Sequence, residues 1–209
     1  MQVISFLSQK GGSGKSTLAI HTAVEFAYAG KKVAIIDSDP QQSAVAWGEA
    51  RDKDFPVVAM CSAGRIEDAV EAARADDFDI VIIDAAPHLD PAIARIAGIS
   101  DFIAIPVRPT ALDLQTAHRA AAVASASGRR FGFVLNSCPP RAIEVIESRP
   151  ILEELGGSVC PQTIGERRAF ARALGSGEAV AEFDPKGKAA AEIVALSSWL
   201  ERQLANKGE

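Results

Sequence analysis

A glycine-rich segment near the start of the chain limits the possible folds more than any other feature. It lies between an apolar run over Val3–Leu7 and a helical pattern over Lys15–Ala29, and its sequence is Ser8-Gln9-Lys10-Gly11-Gly12-Ser13-Gly14-Lys15-Ser16-Thr17. A strand, a glycine loop and a helix in this order direct backbone N–H groups and a helix N-terminus at an anion. The segment therefore predicts a phosphate-binding loop in an α/β fold.

Two lysines flank the glycines of this loop. The strict pattern G-x-x-x-x-G-K-[ST] is not met, because Gln9 occupies the place of its first glycine. What remains is K-G-G-x-G-K-[ST], with Lys10 at its start and Lys15 near its end. We expect Lys15 to reach the β- and γ-phosphates of a nucleotide and the Ser16 hydroxyl to bind Mg²⁺. A flexible glycine turn with surface lysines is the alternative interpretation, and the flanking strand and helix argue against it.

Strand-like and helical segments alternate along the rest of the chain. Apolar runs rich in Val and Ile predict strands over Val3–Leu7, Val33–Asp37, Val57–Met60, Ile80–Asp84, Phe102–Pro106 and Phe131–Asn136, with a weaker one over Ser158–Cys160. Alanine-rich segments predict helices over Lys15–Ala29, Ser43–Lys53, Ile66–Ala75, Ala111–Ser127, Ala142–Leu155 and Gly187–Asn206. This alternation predicts one P-loop NTPase domain over residues 1–209, an α/β fold with a mostly parallel twisted sheet and helices on both faces.

Three aspartates stand where ligands bind in such a fold, beyond the carboxyl ends of the strands. Asp37 and Asp39 end the second strand at positions i and i+2, which places both side chains on one side of an extended chain. They could accept from the lysines or orient a water molecule, and helix-capping aspartates in a turn are the alternative. Asp84 follows four apolar residues, as does the Mg²⁺-binding carboxylate of P-loop NTPases.

Charge and hydropathy exclude several classes of protein. The formal net charge of −5 argues against a highly basic nucleic-acid module, although a local basic patch remains compatible with it. No stretch approaches the roughly 20 apolar residues that span a bilayer. The three cysteines show neither metal-ligand spacing nor a disulfide framework, so we expect a cytoplasmic protein.

The double-lysine loop, the Asp37-Ser38-Asp39-Pro40-Gln41 strand end and the apolar strand ending in Asp84 together resemble the ParA/MinD family of deviant Walker-A ATPases. The resemblance covers nearly the whole chain. Its length and immediate start at the first strand look most like the small ParA proteins of plasmid partition, which lack an N-terminal helix-turn-helix domain. Where the family often has Thr-Pro-Pro after the Walker-B aspartate, this chain has Ala85-Ala86-Pro87-His88, which lacks a hydroxyl. His88 is a candidate switch or partner residue, or an exposed loop histidine without a special role.

The resemblance implies ATP and Mg²⁺ as cofactors and gives each motif residue a role. Lys10 would cross an ATP-sandwich homodimer to the partner's phosphates, and Lys15 would bind the phosphates of its own subunit. Asp39 would orient the attacking water, with Asp37 supporting the lysines. The implied metal residues are Ser16, Asp37 and Asp84, and the implied nucleotide-binding residues are Gly11, Gly12, Ser13, Gly14, Lys15, Ser16, Thr17, Asn136 at the adenine edge, and Pro106 in the loop Pro106–Thr110.

The same resemblance implies a slow, partner-stimulated ATPase that segregates or positions cargo. Its partners would be a second copy, nonspecific DNA of the nucleoid, and a ParB-like or cargo-adaptor activator. Arg167, Arg168 and Arg172 are the candidate DNA-binding residues, in a predicted helical stretch with Phe170 and Leu174 as apolar anchors, and solvated helix faces are the alternative interpretation. A MinD-like regulator that cycles on membranes and a cytosolic P-loop enzyme without DNA binding are the other candidate functions. The mixed charge of the final helix argues against membrane binding.

Overall fold

The computed structural model describes residues 1–87 and 91–206 of the 209-residue chain. Its strands are β1 (Gln2–Phe6), β2 (Val33–Asp37), β3 (Val57–Met60), β4 (Ile80–Asp84), β5 (Phe102–Val107), β6 (Phe131–Leu135) and β7 (Ser158–Val159). They form one seven-stranded sheet in the order β3-β2-β4-β1-β5-β6-β7, and every pairing is parallel. The predicted α/β fold with a parallel sheet is confirmed.

Helices cover both faces of this sheet. They are α1 (Lys15–Tyr28), α2 (Ser43–Glu49), α3 (Ile66–Ala75), α4 (Pro91–Ile99), α5 (Ala111–Ala126), α6 (Ile143–Glu153), α7 (Arg168–Gly175), α8 (Val180–Phe183) and α9 (Lys188–Ala205). Buried residues of α1, α2, α7, α8 and α9 pack with one face of the sheet. Those of α3, α4, α5 and α6 pack with the other face. The chain thus forms two apolar layers, one on each side of the strands.

The sequence of each strand fits its place in the sheet. All residues of β2 and β4 are buried, as is typical of strands covered on both faces. β3 is an edge strand, and three of its four residues are exposed. Pro106 lies in β5 beyond the last residue that pairs with β1, where its missing N–H leaves the β1–β5 ladder intact.

The observed elements differ from the predicted ones in a few places. Most predicted ends agree within two residues, but α2 ends at Glu49 instead of Lys53. Residues 51–54 offer no apolar side chain to the core, and the Arg51 guanidinium turns back to donate to the Phe55 carbonyl oxygen. Helices α4 and α8 were not predicted. Among the described helices, none combines the length and apolar character needed to cross a membrane.

The strand register brings the predicted site residues to one edge of the sheet. Phe6 at the end of β1 and Asp37 at the end of β2 both pair in register with Asp84 at the end of β4. The glycine loop follows β1 directly, so the loop and both carboxylates lie at the carboxyl ends of three neighbouring strands. Ligands of open α/β sheets bind at this edge.

Candidate functional site

At Gly14, the backbone of the glycine loop has a conformation and a close neighbour that only glycine can accommodate. Gly14 precedes α1 with a φ of 96°, and its carbonyl oxygen accepts the Leu18 N–H at 2.9 Å. The Asn136 side chain lies directly against the loop, and its Nδ2 donates to the Ser13 carbonyl oxygen at 2.7 Å. A Cβ at Gly14 would overlap this amide nitrogen. The loop shape therefore depends on glycine and on Asn136 together.

A cleft of about 660 Å³ opens in front of this loop, within the size range of small-molecule sites. Its polar side is formed by the loop, by the start of α1 and by Asp39. Its apolar side is formed by Ile20, Trp47 and Leu174. Of the predicted site residues, the cleft brings together Gly11, Gly12, Gly14, Lys15, Ser16, Thr17 and Asp39.

The two lysines of the loop have different surroundings. Lys15 is 5% exposed, and burial lowers the pKa of its ammonium while Asp84 and Asp39 raise it. Lys10 keeps 36% of its side chain exposed, and its ammonium forms an ion pair with Asp113 near the start of α5. Lys15 thus belongs to the interior of its own cleft, whereas Lys10 does not line this cleft and keeps part of its side chain exposed.

Asp84 is a fully buried carboxylate whose two oxygens have no hydrogen-bond partner among the described residues. Burial raises the pKa of Asp84 to about 7, an effect that the nearby Ser16 hydroxyl opposes. An unpaired buried carboxylate is costly unless a cation or a proton compensates it. Mg²⁺ prefers oxygen ligands of this kind and keeps several waters. Asp84 and Ser16 therefore fit a Mg²⁺ site.

Asp37 accepts three backbone N–H groups. Its Oδ2 accepts the N–H groups of Ala44 and Val45 at 2.9 and 3.2 Å, and its Oδ1 accepts that of Asp39 at 3.0 Å. Burial raises the pKa of this carboxyl group, and the three backbone N–H groups lower it. Oδ2 therefore caps the first turn of α2 and Oδ1 holds the turn before it, as the capping interpretation expects. The role of Asp37 as a metal ligand or a support for the lysines stays a prediction.

Asp39 accepts fewer hydrogen bonds than Asp37 and lines the cleft. It is half-buried, and its Oδ1 accepts the Gln41 N–H at 2.9 Å. The predicted role of Asp39 as the residue that orients water is compatible with this position.

Comparison with known proteins assigns the family. The model of the CobQ/CobB/MinD/ParA nucleotide binding domain matches residues 4–180, which is most of the chain. The chain belongs to this family. The site in front of the glycine loop is accordingly the nucleotide site of a CobQ/CobB/MinD/ParA domain, and the predicted family resemblance is confirmed.

Individual relatives of the ParA/MinD type agree with this assignment. The protein is 30% identical over 199 residues to Maintenance of carboxysome distribution protein A of Gloeobacter kilaueensis, covering 91% of this chain and 89% of that protein. Its fold is similar to that of the septum site-determining protein MinD of Pyrococcus horikoshii, solved with Mg-ADP, at 17% identity and a TM-score of 0.79 over 100% and 99% of the two chains. It is also similar to a variant of Cyanothece McdA solved with ATP, at 15% identity and a TM-score of 0.76 over 100% and 98%. ATP and Mg²⁺, the predicted cofactors, are among the ligands of these nucleotide-binding neighbours.

Of two further predicted nucleotide contacts, Asn136 lies against the loop of this ParA/MinD-type domain. It is buried there, its amide nitrogen donates to Ser13, and its reading of the adenine edge stays a prediction. Pro106 is buried within β5, and its contact with a nucleotide also stays a prediction. The Arg108 Nη2, two residues later, lies 3.8 Å from the position of a Cβ on Gly12.

The three predicted DNA-binding arginines differ in their contacts. Arg167 precedes α7, and its Nε donates to Glu192 Oε2 at 3.0 Å in a two-pronged ion pair with α9. Arg168 and Arg172 are exposed one helical turn apart on α7, and the Arg172 guanidinium lies over the Phe183 ring. The ion pair favours a structural role for Arg167, and DNA binding by the three arginines stays a prediction.

Sequence reasoning missed Asp113. This residue is 3% exposed, its N–H donates to the Thr110 Oγ1 at 3.2 Å, and the Thr110 hydroxyl donates back to its Oδ2. The spacing Thr110-x-x-Asp113 is typical of a reciprocal cap at a helix start, and that signal was available in the sequence. The sequence contains no signal for the contact of Asp113 with Lys10. His88, the predicted switch or partner residue, lies outside the described residues.

Proposed function

We propose that the protein is a ParA-like ATPase that dimerises around ATP, binds nonspecific DNA as a dimer, and segregates or positions cargo until hydrolysis returns it to the monomer. The observation that carries this proposal is the division between the two loop lysines. Lys15 is buried in its own cleft, whereas Lys10 lies outside the lining of that cleft and is partly exposed, so its ammonium group would be available to a second subunit. A pocket that serves only its own subunit needs no second lysine there.

The residues of the cleft can supply what phosphoryl transfer to water requires, which is positioning and neutralisation of charge. Lys15 and the loop N–H groups would bind the phosphates, and Asp39 would orient the attacking water. Ser16 and Asp84 would hold Mg²⁺, which supplies positive charge to the phosphate oxygens when it is bound. Lys10 of the opposite subunit would complete the positive charge, so hydrolysis would depend on dimerisation. We expect slow turnover that an activating partner of ParB or cargo-adaptor type accelerates.

DNA binding would use exposed positive charge near α7. Arg168 and Arg172 share one face of this helix, and the Arg172 guanidinium lies 5.1 Å from the centre of the Phe183 ring. Lys186 and Lys188 are exposed a few residues beyond Phe183. Two subunits together would double this set and give binding that is independent of sequence and sensitive to salt. The protein would then act in the cytoplasm, on the nucleoid.

The test measures ATP hydrolysis and DNA binding of the purified protein with and without ATP and Mg²⁺. We expect slow hydrolysis that rises with nonspecific DNA, and retention on DNA only when ATP is present. The variant Lys15→Ala is expected to lose both activities. Binding to anionic liposomes in place of DNA would support a MinD-like function instead, and hydrolysis that neither DNA nor liposomes affect would support a cytosolic P-loop enzyme.

A further inference from the structure

Arg108 lies beside the phosphate loop because of the order of the strands. β5 ends at Val107 and is a neighbour of β1, so the residue after β5 and the loop after β1 lie at the same edge of the sheet. On the other side of Arg108, Pro109 is buried and Thr110 caps α5, which fixes the backbone there. The arginine itself is exposed, and its Nη2 lies 3.8 Å from the position of a Cβ on Gly12.

The guanidinium of Arg108 has no partner within the part of the chain that the structure describes. Over residues 1–87 and 91–206 it forms neither an ion pair nor a hydrogen bond. By contrast, the guanidinium groups of Arg51, Arg149 and Arg167 each donate to oxygen atoms of the protein. Arg108 thus adds a positive charge beside the loop that no described carboxylate pairs with.

A free guanidinium at this place favours the binding of an anion. The loop and the start of α1 already present backbone N–H groups and the positive end of a helix dipole, so the charge of Arg108 adds to a positive potential. A guanidinium carries five N–H donors in a planar fork, which matches two oxygens of one phosphate. Arg108 therefore has the charge and the donors to bind a phosphate that the loop holds.

The position of Arg108 along the loop indicates which phosphate it meets. The N–H groups of such a loop hold the α- and β-phosphates, and the lysine before the helix reaches the β- and γ-phosphates. The guanidinium lies against Gly12, two residues before the Gly14 that precedes α1, and so away from the start of the helix. Gly12 lines the cleft, so a small rotation of the arginine past Gly12 brings its fork to the phosphate farthest from the helix.

We infer that Arg108 binds the terminal phosphate of ATP within its own subunit and thereby makes the site prefer ATP over ADP. The inference rests on the proposed function and deepens it, because a dimer that forms only with ATP requires a site that distinguishes ATP from ADP. Arg108 would be one residue that senses the third phosphate before a second subunit is present.

The experiment measures nucleotide affinity by isothermal titration calorimetry, with Mg²⁺ and either the slowly hydrolysed analogue ATPγS or ADP. Arg108→Ala is expected to weaken binding of ATPγS about 10-fold and binding of ADP less than about 2-fold, because ADP lacks the phosphate that the guanidinium binds. Arg108→Lys keeps the charge but not the fork, and we expect a loss of about 3-fold for ATPγS. Arg119→Ala removes the same charge from an exposed position farther along α5, and it should bind both nucleotides as the wild type does.

The same comparison in the Lys10→Ala background separates this inference from the proposed function. It is made at protein concentrations where light scattering gives the monomer mass, so a loss there comes from the arginine of the same subunit. Unchanged affinity of a folded Arg108→Ala variant, equal losses for ATPγS and ADP, or a loss that is absent from the monomer would each overturn the inference. Absence of an ATP-dependent dimer or of DNA binding would overturn the proposed function and leave the expected affinities unchanged.

Discussion

At the scale of single residues, the phosphate loop depends on a glycine at a position where a Cβ atom cannot be accommodated. Gly14 combines a left-handed backbone with the amide of Asn136 against its Cα. Gly11 in the same loop has open space around it and does not adopt a positive φ. Glycine is thus required at position 14, whereas position 11 can accept another residue.

Substitution of Gly14 by alanine is expected to destabilise the protein by about 2 kcal/mol or more, because the new Cβ adds backbone strain and displaces Asn136. Nucleotide binding should be lost with it. Gly11→Ala is the matched control and should change stability by less than about 0.5 kcal/mol. Urea unfolding without nucleotide measures both effects, and equal midpoints for the two variants would contradict the account.

The aspartates show how far residue types alone could predict the site. Asp84 was assigned from an apolar run followed by a carboxylate, and its unpaired oxygens fit that assignment. Asp37 also follows an apolar run, yet its oxygens accept backbone N–H groups of the following turn and of the first turn of α2. The difference arises in the turn after β2, which brings the start of α2 back over Asp37. No local pattern distinguishes these two outcomes.

At the scale of secondary-structure elements, α1 and α8 are joined by a buried histidine. His21 on α1 is fully buried, and its Nδ1 accepts the Val180 N–H at 3.1 Å, which fixes the start of α8. Its ring also lies against Phe170 of α7, with centroids 5.1 Å apart. The histidine therefore connects the helix of the phosphate loop to the two short helices beyond the cleft.

This histidine makes stability depend on pH. Burial lowers the pKa of His21 to about 3, although Glu182 opposes the shift. Below its ordinary pKa of 6.5 the unfolded chain takes up a proton that the folded chain refuses, so the contribution of His21 to stability falls as pH falls below 6.5. For His21 alone the linkage gives a loss of about 2 kcal/mol between pH 7 and pH 5, whereas Asp84, whose pKa burial raises to about 7, stabilises the folded chain as pH falls through the same range. Urea unfolding of the wild type and of a variant without His21 at both pH values measures the contribution of the histidine as a difference.

The variant His21→Gln removes only the contribution of the histidine, because glutamine does not titrate, so relative to the wild type it should gain about 2 kcal/mol of stability on going from pH 7 to pH 5. His118 on α5 is exposed, so His118→Gln is the matched control and should keep the wild-type slope. Equal changes in stability for the wild type and His21→Gln over this range would contradict the account.

The arginines near α7 have two proposed roles. Arg167 attaches the start of α7 to α9, whereas Arg168 and Arg172 are exposed and would contact DNA. Arg168→Ala/Arg172→Ala removes four positive charges from the dimer, so it is expected to lower DNA affinity at least about 10-fold and to reduce the slope of log affinity against log salt by about 4. Arg167→Ala should reduce thermal stability with little effect on the salt slope, because Arg167 pairs with Glu192. Fluorescence anisotropy with random DNA and ATPγS at several salt concentrations measures these quantities.

A charge-matched control lies on another helix. Arg65 precedes α3 and Arg74 lies in its last turn, both are exposed, and each pairs with an exposed carboxylate. Arg65→Ala/Arg74→Ala removes the same charge and should leave the salt slope unchanged. Equal losses in both double variants would mean that net charge, and not the α7 surface, controls DNA binding.

Most elements were predictable because each strand and most helices carry their own local signal. Continuous apolar runs define β1, β2 and β4, and the parallel order follows from the alternation with helices. α4 begins on a proline and has nine residues, and α8 has only four, so neither offers a long periodic pattern. The early end of α2 depends on Arg51, which turns away from the helix axis to bind the Phe55 carbonyl oxygen and the carboxylate of Glu182.

At the scale of the whole molecule, the parallel sheet explains why distant motifs meet. Residues 6, 37 and 84 end neighbouring strands in register, so a loop after the first strand faces the carboxylates of the other two. This convergence follows from topology and could be predicted from sequence. The contact of Lys10 with Asp113 could not, because it depends on the position of α5 relative to the loop.

The central claim is that Lys10 makes the nucleotide site a shared one. Light scattering coupled to size-exclusion chromatography, with and without ATPγS and Mg²⁺, tests it most directly. The wild type is expected to change from the monomer mass to twice that mass when the analogue is present. Lys10→Ala is expected to remain monomeric under both conditions while still binding some nucleotide by equilibrium dialysis. A Lys10→Ala protein that dimerises with ATPγS as the wild type does would contradict the claim.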